Sequence, residues 1–426
     1  MKPILAFIIF FTNTLIAQET GFVKAGKQQF TIHGKPYYFI GSNYWYGGLL
    51  ALHKDSNAGK QRLIKELDFM QSNGITNLRV LAGAEGKGVI NEVNRVAPPL
   101  QPEQGIFDEK VLHGLDFLLT EMSKRNMKAV LYLSNNWEWS GGFLQYLNWN
   151  GLIADSTLQR KPGWDELRDQ VSMFYACKPC KEAYAGQVRY ILAHKNIYTG
   201  VPYINDPTIM SWEIANEPRP MRPAAIPHYT GWIRDVSALI KSIDKQHMLT
   251  IGTEGYIGTE QSAALYEDVH NDKLVDYLTI HIWPKNWAWF PDTAIAQNLP
   301  AVVNKTTAYI NDHVQLANKI NKPLVIEEFG LPRDGIAFEA SSSTRSRDLY
   351  FKEIFDIQQR YKVIAGVNFW AFGGTARPQA AQLFWKAGDD YMGDPPQEEQ
   401  GLNAVFDSDS STWNIIRYFT GKLTLR

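Results

Sequence analysis

Cysteine is almost absent from this sequence of 426 residues, which contains only Cys177 and Cys180. Their Cys-Lys-Pro-Cys spacing matches redox motifs and half of a zinc site, but no second cysteine pair or near histidine pair completes a zinc site. A redox role would need a thioredoxin-like unit around the pair. We therefore expect a local disulfide that stiffens the start of a helix, as is common in exported proteins.

An excess of charge of either sign is also missing. The chain has 43 Lys and Arg against 44 Asp and Glu, a formal net charge of -1, and only 20% of its residues are charged. This balance gives no electrostatic attraction to nucleic acid or to anionic membranes, so neither is expected as a partner. The hydrophobic content of 45% is enough to bury a large core.

Long apolar runs are confined to the beginning of the chain. A lysine and the apolar segment 4–11 precede Leu-Ile-Ala, which is typical of a secretory signal with cleavage near Ala17. An uncleaved membrane anchor would need about 20 apolar residues, and the polar residues 12–14 interrupt this run. We expect segment 1–17 to be removed, residues 18–426 to form a single catalytic domain, and the protein to be secreted or periplasmic.

Short apolar strands alternate with amphipathic helices through the rest of the chain. Segment 22–38 predicts an N-terminal hairpin that caps the bottom of a barrel. The strands are expected at 39–43, 77–81, 129–135, 211–217, 248–252, 277–281, 323–328 and 367–370. Eight strand and helix units in succession predict an α/β fold, the (β/α)8 TIM barrel. An open doubly wound sheet is the alternative, but no glycine-rich phosphate loop follows the first strand.

A bare barrel of this kind takes about 250 residues, so the surplus length must lie in long loops. We expect insertions after strands three, four and eight, at the C-terminal face of the barrel. Tryptophans are frequent in the loops of this face, at Trp137, Trp139, Trp149, Trp283, Trp287, Trp289 and Trp385. A cleft rich in tryptophan and poor in net charge suits a ligand with apolar faces and hydroxyl edges, such as a sugar ring.

Two of the predicted strands end in glutamate. Strand four leads to Asn216-Glu217-Pro218, and strand seven leads to Glu327-Glu328-Phe329-Gly330. An unpaired ion in a poorly solvated site costs several kcal/mol, so packing alone does not explain two such carboxylates. Paired carboxylates are typical of glycoside hydrolysis. Because Pro218 disfavours helical geometry in the residue before it, we expect strand four to continue in extended form to Glu217.

These segments resemble glycoside hydrolase family five, most closely its fungal and bacterial endo-β-1,4-mannanase subfamily. The resemblance rests on segments 212–219, 279–284, 323–330 and 369–370 and extends from about Phe22 to the C-terminus. It implies a secreted, retaining endo-β-1,4-mannanase that acts on mannan, glucomannan, galactomannan or manno-oligosaccharides. In this family the residue matched by Glu217 is the general acid/base, and the one matched by Glu328 is the nucleophile.

The same resemblance implies the residues that surround the substrate. Arg79 and His281 match polar residues around the carboxylates, Trp370 matches a platform under the reacting sugar, and Arg219 lines the leaving-group side. The full set of expected substrate-binding residues is Arg79, Asn136, Asn216, Arg219, His281, Trp283, Trp370 and Trp385. Trp283 stands where many members have tyrosine, and Asn135-Asn136 stand where many relatives have histidine.

Several alternatives stay open at this point. Glu327 rivals Glu328 as the nucleophile, because a barrel strand is buried on both faces and periodicity cannot choose between them. Glu213 could form an ion pair with Arg79 inside the barrel. The alternative functions are a β-1,4-glucanase, a hydrolase that attacks chain ends, and a barrel that binds polysaccharide without catalysis, although the last would require the loss of a carboxylate. We expect a monomer that needs no cofactor and no metal.

Overall fold

The computed structural model describes residues 21–291 and 294–423. The predicted signal segment 1–17 lies outside the described residues, so its cleavage stays a prediction. Across the described ranges, no helix has the length and apolar character that a membrane span requires.

A small antiparallel sheet precedes the barrel. It consists of β1 (Lys24–Ala25), β2 (Phe30–Ile32) and β3 (Lys35–Tyr37), paired in sequence order. The predicted hairpin is therefore a meander of three strands. Phe30 of this sheet packs with Phe39, Met210 and Tyr277, which lie at or next to the N-terminal ends of barrel strands. The meander thus covers the bottom of the barrel, as the sequence predicts.

Eight parallel strands form the central sheet of the molecule. The strands after the meander are β4 (Phe39–Asn43), β5 (Asn77–Leu81), β6 (Val89–Ile90), β7 (Val93–Asn94), β8 (Lys128–Tyr132), β9 (Ile209–Glu213), β10 (Met248–Thr250), β11 (Leu278–Ile282), β12 (Leu324–Phe329), β13 (Ile364–Phe369), β14 (Phe372–Gly374) and β15 (Val405–Phe406). The central sheet has the order β10-β9-β8-β5-β4-β13-β12-β11, while β6 with β7 and β14 with β15 form two small sheets.

The two outer strands of this order, β10 and β11, meet and close the barrel. The backbone N–H of Asp276 donates to the carbonyl of Leu249 at 2.8 Å. Further along, the Thr250 hydroxyl donates to the carbonyl of Tyr277 at 3.0 Å. The backbone N–H of His281 donates to the carbonyl of Glu254, also at 3.0 Å. The predicted (β/α)8 TIM barrel is confirmed.

Helices surround the sheet and extend its loops. They are α1 (Gly47–Leu50), α2 (Ser56–Ser72), α3 (Glu109–Lys124), α4 (Gly142–Trp149), α5 (Asp155–Gln159), α6 (Trp164–Ser172), α7 (Lys178–Leu192), α8 (Ile226–Ile243), α9 (Ala263–His270), α10 (Ile295–Ile320), α11 (Arg345–Arg360) and α12 (Ser410–Leu423). Short 3-10 turns lie at Glu138–Ser140, Met173–Ala176, Tyr203–Asn205, Pro223–Ala225 and Asp334–Ile336. In α3, the side chain of Asp108 accepts from the N–H of Lys110, as expected for a helix N-cap.

The long loops do not all follow the predicted strands. Long segments follow strands three and eight, as expected, but the predicted insertion after strand four is wrong. Only residues 214–225 separate β9 from α8. Strand two is instead followed by segment 82–108, which carries the hairpin of β6 and β7. The C-terminal face is therefore built up over strands two, three and eight.

The two cysteines form the predicted disulfide, Cys177 to Cys180. Cys177 occupies the N-cap position of α7, and its sulfur accepts from the N–H of Cys180 at 3.2 Å. The bond thus fixes the first turn of a helix that packs on the barrel.

Candidate active site

The loop after β9 carries Glu217 to the mouth of the barrel in an unexpected conformation. The strand ends at Glu213, and Glu217 has φ of 51°, in the left-handed region that non-glycine residues rarely adopt. The expected extension of strand four to Glu217 is therefore wrong. Neighbouring loops hold the backbone in this conformation. The N–H of Asn216 donates to the carbonyl of Ser134, and the N–H of Glu217 donates to the carbonyl of Gly252, both at 2.9 Å.

Glu328 lies on β12, next to the strand that carries His281. The register between β11 and β12 shifts after Ile280, which places His281 opposite Glu328 instead of Glu327. Glu328 lines the cavity at the mouth, whereas Glu327 is fully buried below it. The structure thus brings Glu328 to the site.

The two predicted catalytic carboxylates face each other. One carboxylate oxygen of Glu217, one of Glu328 and a ring nitrogen of His281 all lie within 4.8 Å of one another. Glu217 and Glu328 are 6% and 2% exposed, so solvent screens their charges little.

Arg79 lies under the nucleophile candidate and is completely buried. Its guanidinium donates to Glu213 through Nε at 2.8 Å and Nη2 at 2.6 Å, and Nη1 donates to Glu328. Nη2 also donates to the amide oxygen of Asn216 at 2.7 Å. The ion pair of Arg79 with Glu213, left open by the sequence, is present. Arg79 itself does not line the cavity, but it contacts Glu328 and Asn216, which do.

His281 joins the carboxylates from below. Its Nδ1 lies 2.6 Å from Oε1 of Glu217, and its Nε2 lies 3.5 Å from Oε2 of Glu327. Burial lowers the pKa of His281 to about 4, so the ring is neutral near neutral pH and carries one N–H. In the tautomer with this hydrogen on Nε2, the N–H faces Glu327, and Nδ1 can accept a hydrogen bond from a protonated Glu217.

The environment of the pair shifts the pKa of both carboxyl groups. Burial raises the pKa of both Glu217 and Glu328, because a charged carboxylate is unfavourable in a poorly solvated site. At Glu328 the nearby charge of Glu217 raises the pKa further. At Glu328, the guanidinium of Arg79 opposes this effect and stabilises the anion. The indole N–H of Trp283 also donates to Oε2 of Glu328, at 3.1 Å. Arg219 and the indole N–H of Trp137 favour the anion of Glu217 in the same way. The pair therefore favours holding one proton in common over carrying two charges.

Trp283, which stands where many family members have tyrosine, has its own hydrogen-bond donor for the nucleophile candidate. Its indole N–H supplies the donor that a phenol hydroxyl would provide. The Trp283 ring packs edge to face on Trp370, with ring centroids 5.9 Å apart and an angle of 79° between the planes. Both rings line the cavity and form an apolar wall beside Glu328.

The opposite side of Glu217 is formed by Trp137, Arg219 and Glu254. The indole N–H of Trp137 donates to Oε2 of Glu217, and the Arg219 guanidinium lies 5.1 Å from the centre of the Trp137 ring. Arg219 also donates to Glu254, through Nη2 at 2.5 Å. Asn136 accepts the backbone N–H of Arg219 at 3.2 Å and does not line the cavity. Asn136 therefore holds the backbone of Arg219 from outside the cavity.

The cavity has a volume of about 610 Å³, enough for several sugar rings. Its lining residues are Trp137, Glu138, Trp139, Trp164, Asn216, Glu217, Arg219, Glu254, Trp283, Asn286, Trp287, Glu328, Trp370, Pro395, Gln397 and Glu398. The lining combines six tryptophans with amide, guanidinium and carboxylate groups, a combination that suits a carbohydrate.

Comparison with known proteins gives the family. The family model described as "GH family 5 beta-mannosidase-like" matches residues 20–426. The chain belongs to this family of glycoside hydrolases. Mannan endo-1,4-beta-mannosidase 1 of Arabidopsis thaliana is 30% identical over 84% of this chain and 84% of its own length.

Solved structures of a mannosidase and of a mannanase share the fold. A mannosidase from Rhizomucor miehei, in complex with mannosyl-fructose, has a TM-score of 0.85 and 31% identity, covering 96% of this chain and 98% of its own. An endo-1,4-beta-D-mannanase from Thermotoga petrophila has a TM-score of 0.68 and 24% identity over 91% of this chain and all of its own, which supports the fold alone.

The predicted site residues of this family 5 hydrolase fall into three groups. Asn216, Glu217, Arg219, Trp283, Glu328 and Trp370 line the cavity. Arg79, Asn136 and His281 are buried directly behind these residues and hold them in place. Trp385 does not line this cavity: it stacks on Tyr391 with ring centroids 4.7 Å apart and borders a separate pocket, so its contact with substrate stays a prediction.

Other cavity residues were missed by the sequence reasoning. Glu254 had a usable signal, because it follows the apolar run of strand five just as Glu217 and Glu328 follow theirs. Trp164 and Glu398 had none, since they lie in segments inserted between barrel elements, where no strand end points to the mouth.

Proposed function

We propose that this family 5 hydrolase cleaves β-1,4-mannosidic bonds in mannan, glucomannan or galactomannan with retention of anomeric configuration. The observation that carries the proposal is the short approach of Glu217 to Glu328, within 4.8 Å between carboxylate oxygens. Retaining glycosidases hold their carboxyl groups about 5 to 5.5 Å apart, whereas inverting enzymes leave room for a water between them.

In the first step, Glu328 attacks the anomeric carbon while the bond to the leaving sugar breaks. Glu217 gives its proton to the departing glycosidic oxygen, so that the leaving chain ends in a hydroxyl group. After this step the sugar is bound covalently to Glu328, and Glu217 is a carboxylate. Arg79 and Trp283 keep Glu328 ionised and oriented before the attack.

The second step reverses these roles. Esterification has removed the charge of Glu328, so the pKa of Glu217 falls relative to the resting enzyme and its carboxylate can accept a proton. Glu217 takes this proton from a water molecule, whose oxygen attacks the anomeric carbon and releases Glu328. Asn216 is placed by Arg79 and Asn135 to bind the 2-hydroxyl of the reacting sugar, a contact that strengthens in the transition state.

The names of the relatives support mannan as the substrate. The Arabidopsis relative is a mannan endo-1,4-beta-mannosidase, and the Rhizomucor structure is that of a mannosidase with mannosyl-fructose bound. The catalytic pair alone does not select mannan, because cellulases of this barrel use the same two glutamates.

The test of this function is a comparison of polymers. We expect the purified protein to hydrolyse soluble galactomannan or glucomannan with kcat/KM at least ~100-fold above that on carboxymethyl cellulose, roughly 2.7 kcal/mol of transition-state discrimination. Initial rates of reducing-sugar release measure the ratio. Equal rates on the two polymers would instead indicate a glucanase or an enzyme of broad specificity.

Internal cleavage is the prediction from the sequence, and one structural feature favours attack at chain ends as a second candidate. The segment 391–400 lies over the mouth: Gly393 accepts from the Trp45 indole at 2.8 Å, Tyr391 donates to Ala97 at 2.8 Å, and Gln397 donates to Ile90 at 3.4 Å. This wall joins the loops after strands one, two and eight on one side of the cavity.

Two cavity carboxyl groups, that of Glu398 in this wall and that of Glu138, fit the end of a sugar chain. Oε2 of Glu138 and Oε2 of Glu398 are buried and have no hydrogen-bond partner in the described part of the chain. Burial raises the pKa of Glu398 to about 8, so this group can donate as well as accept near neutral pH. Free hydroxyl groups of a terminal sugar would satisfy both side chains.

The same polymer reactions distinguish the two modes of attack. Internal cleavage lowers the viscosity of galactomannan early and yields mixed oligosaccharides from mannohexaose. Attack at chain ends leaves the viscosity high while one short sugar accumulates.

A further inference from the structure

Trp164 is an exposed aromatic residue at the edge of the cavity. It is the first residue of α6 and leaves 53% of its surface accessible, although it borders the same cavity as the two glutamates. A single exposed apolar residue is common on protein surfaces, so the distinguishing feature of this ring is its position at the edge of the cavity. The catalytic steps described above do not use this residue.

The position of Trp164 relative to Glu217 identifies the side of the cavity. Its ring centroid lies 6.2 Å from that of Trp137, with an angle of 30° between the planes. Trp137 donates to Glu217, the proton donor, and Arg219 lies against the Trp137 ring. Trp164 therefore extends the wall on which the leaving part of the substrate rests.

The helix that carries Trp164 is fixed to the neighbouring loops. Arg222, from the loop after β9, pairs with Asp169 at 2.7 Å, and Arg168 pairs with Glu260, from the loop after β10, at 3.0 Å. Val171, on the buried face of α6, is completely enclosed. The exposed ring thus projects from a supported helix, which lowers the entropic cost of using it as a binding surface.

We propose that Trp164 binds the face of a mannosyl residue on the leaving-group side, beyond the bond that is cleaved. This subsite rests on the proposed function and deepens it, because it makes cleavage depend on the length of the leaving chain. The alternation of apolar ring face and hydroxyl edge in a pyranose suits stacking on an indole. Both internal cleavage and attack at chain ends leave such a chain on this side.

The test compares substrates with long and short leaving groups in the Trp164→Ala variant. We expect kcat/KM on mannohexaose to fall about tenfold, as for a well-placed tryptophan anchor. With 4-nitrophenyl β-glycosides of mannose or mannobiose, whose leaving group is a single ring, we expect a change of less than about twofold. Trp164→Phe should recover most of the loss, because it keeps an aromatic face.

Matched controls separate this role from a structural one. Tyr418 is similarly exposed, at 57%, and does not line the cavity, so Tyr418→Ala should leave both substrates unaffected. Equal losses on mannohexaose and on the aryl glycosides in Trp164→Ala would overturn the proposal. If the wild type hydrolyses no mannoside, the proposed function fails, and calorimetric binding of mannohexaose still decides: equal affinity of wild type and variant contradicts the subsite.

Discussion

Replacing Glu328 with glutamine should lower kcat on mannan by at least about 10⁴-fold, since the reaction then has no group to form the covalent bond. The side chain keeps its volume, so the barrel should fold normally. Arg79 would lose one of its buried anionic partners but keep Glu213. Circular dichroism and thermal unfolding check the fold, and initial rates on galactomannan measure the loss.

Glu327→Gln is the matched control for this experiment. The two glutamates are adjacent on β12, but Glu327 faces His281 under the cavity and does not line it. An activated 2-deoxy-2-fluoro-β-mannoside should add one sugar to the wild type and to Glu327→Gln, and none to Glu328→Gln, as read by intact-protein mass. Labelling of Glu328→Gln together with loss of labelling in Glu327→Gln would assign the nucleophile to the other residue.

Replacing Glu217 with alanine should lower kcat on mannan by about 10² to 10⁴-fold, the usual contribution of a general acid or base. The effect should be smaller for the formation of the covalent intermediate from substrates with good leaving groups, since these depart without a proton. The intermediate should then accumulate, because no base activates the water. Azide needs no deprotonation, so it should restore turnover and release a mannosyl azide.

Glu254→Ala tests whether this rescue is specific. Glu254 also lines the cavity and pairs with Arg219, but no step assigns it a proton transfer. Azide should accelerate Glu217→Ala and leave Glu254→Ala unchanged on the same aryl mannoside. Rescue of Glu254→Ala alone would mean that Glu254 is the base.

The barrel was predictable because its signal is local. Each strand is a short apolar run, and each such run was located to within about four residues of the observed strand. The backbone conformation at the end of strand four was not predictable in this way. There the sequence favours an extended Glu217, but hydrogen bonds from Asn216 to Ser134 and from Glu217 to Gly252 hold the loop in another conformation. Such contacts join distant segments and leave no mark in the local pattern.

The core of the site was predictable for a related reason. In a parallel barrel, the C-terminal ends of all strands meet at one face, so residues there converge whatever their separation in sequence. Glu217, Trp283 and Glu328 were found in this way. Trp385 lies in an inserted segment, where no strand end fixes the direction of a side chain, and the structure packs it on Tyr391 outside the cavity.

The distinction between Glu327 and Glu328 shows what only the structure provides. Both are buried, and alternation along β12 gives no preference, since both faces of the strand are covered. The register shift against β11 brings Glu328 level with His281 and the mouth. That shift depends on how two strands pair, which a single sequence does not record.

The measurement that tests the central claim most directly is the anomeric configuration of the first product. Proton NMR of wild-type enzyme with mannopentaose, recorded before mutarotation, reports which anomer is released. Two successive displacements at Glu328 predict that the β-anomer appears first and the α-anomer follows only as the solution equilibrates. Initial release of the α-anomer would contradict a covalent intermediate and the roles assigned to Glu217 and Glu328.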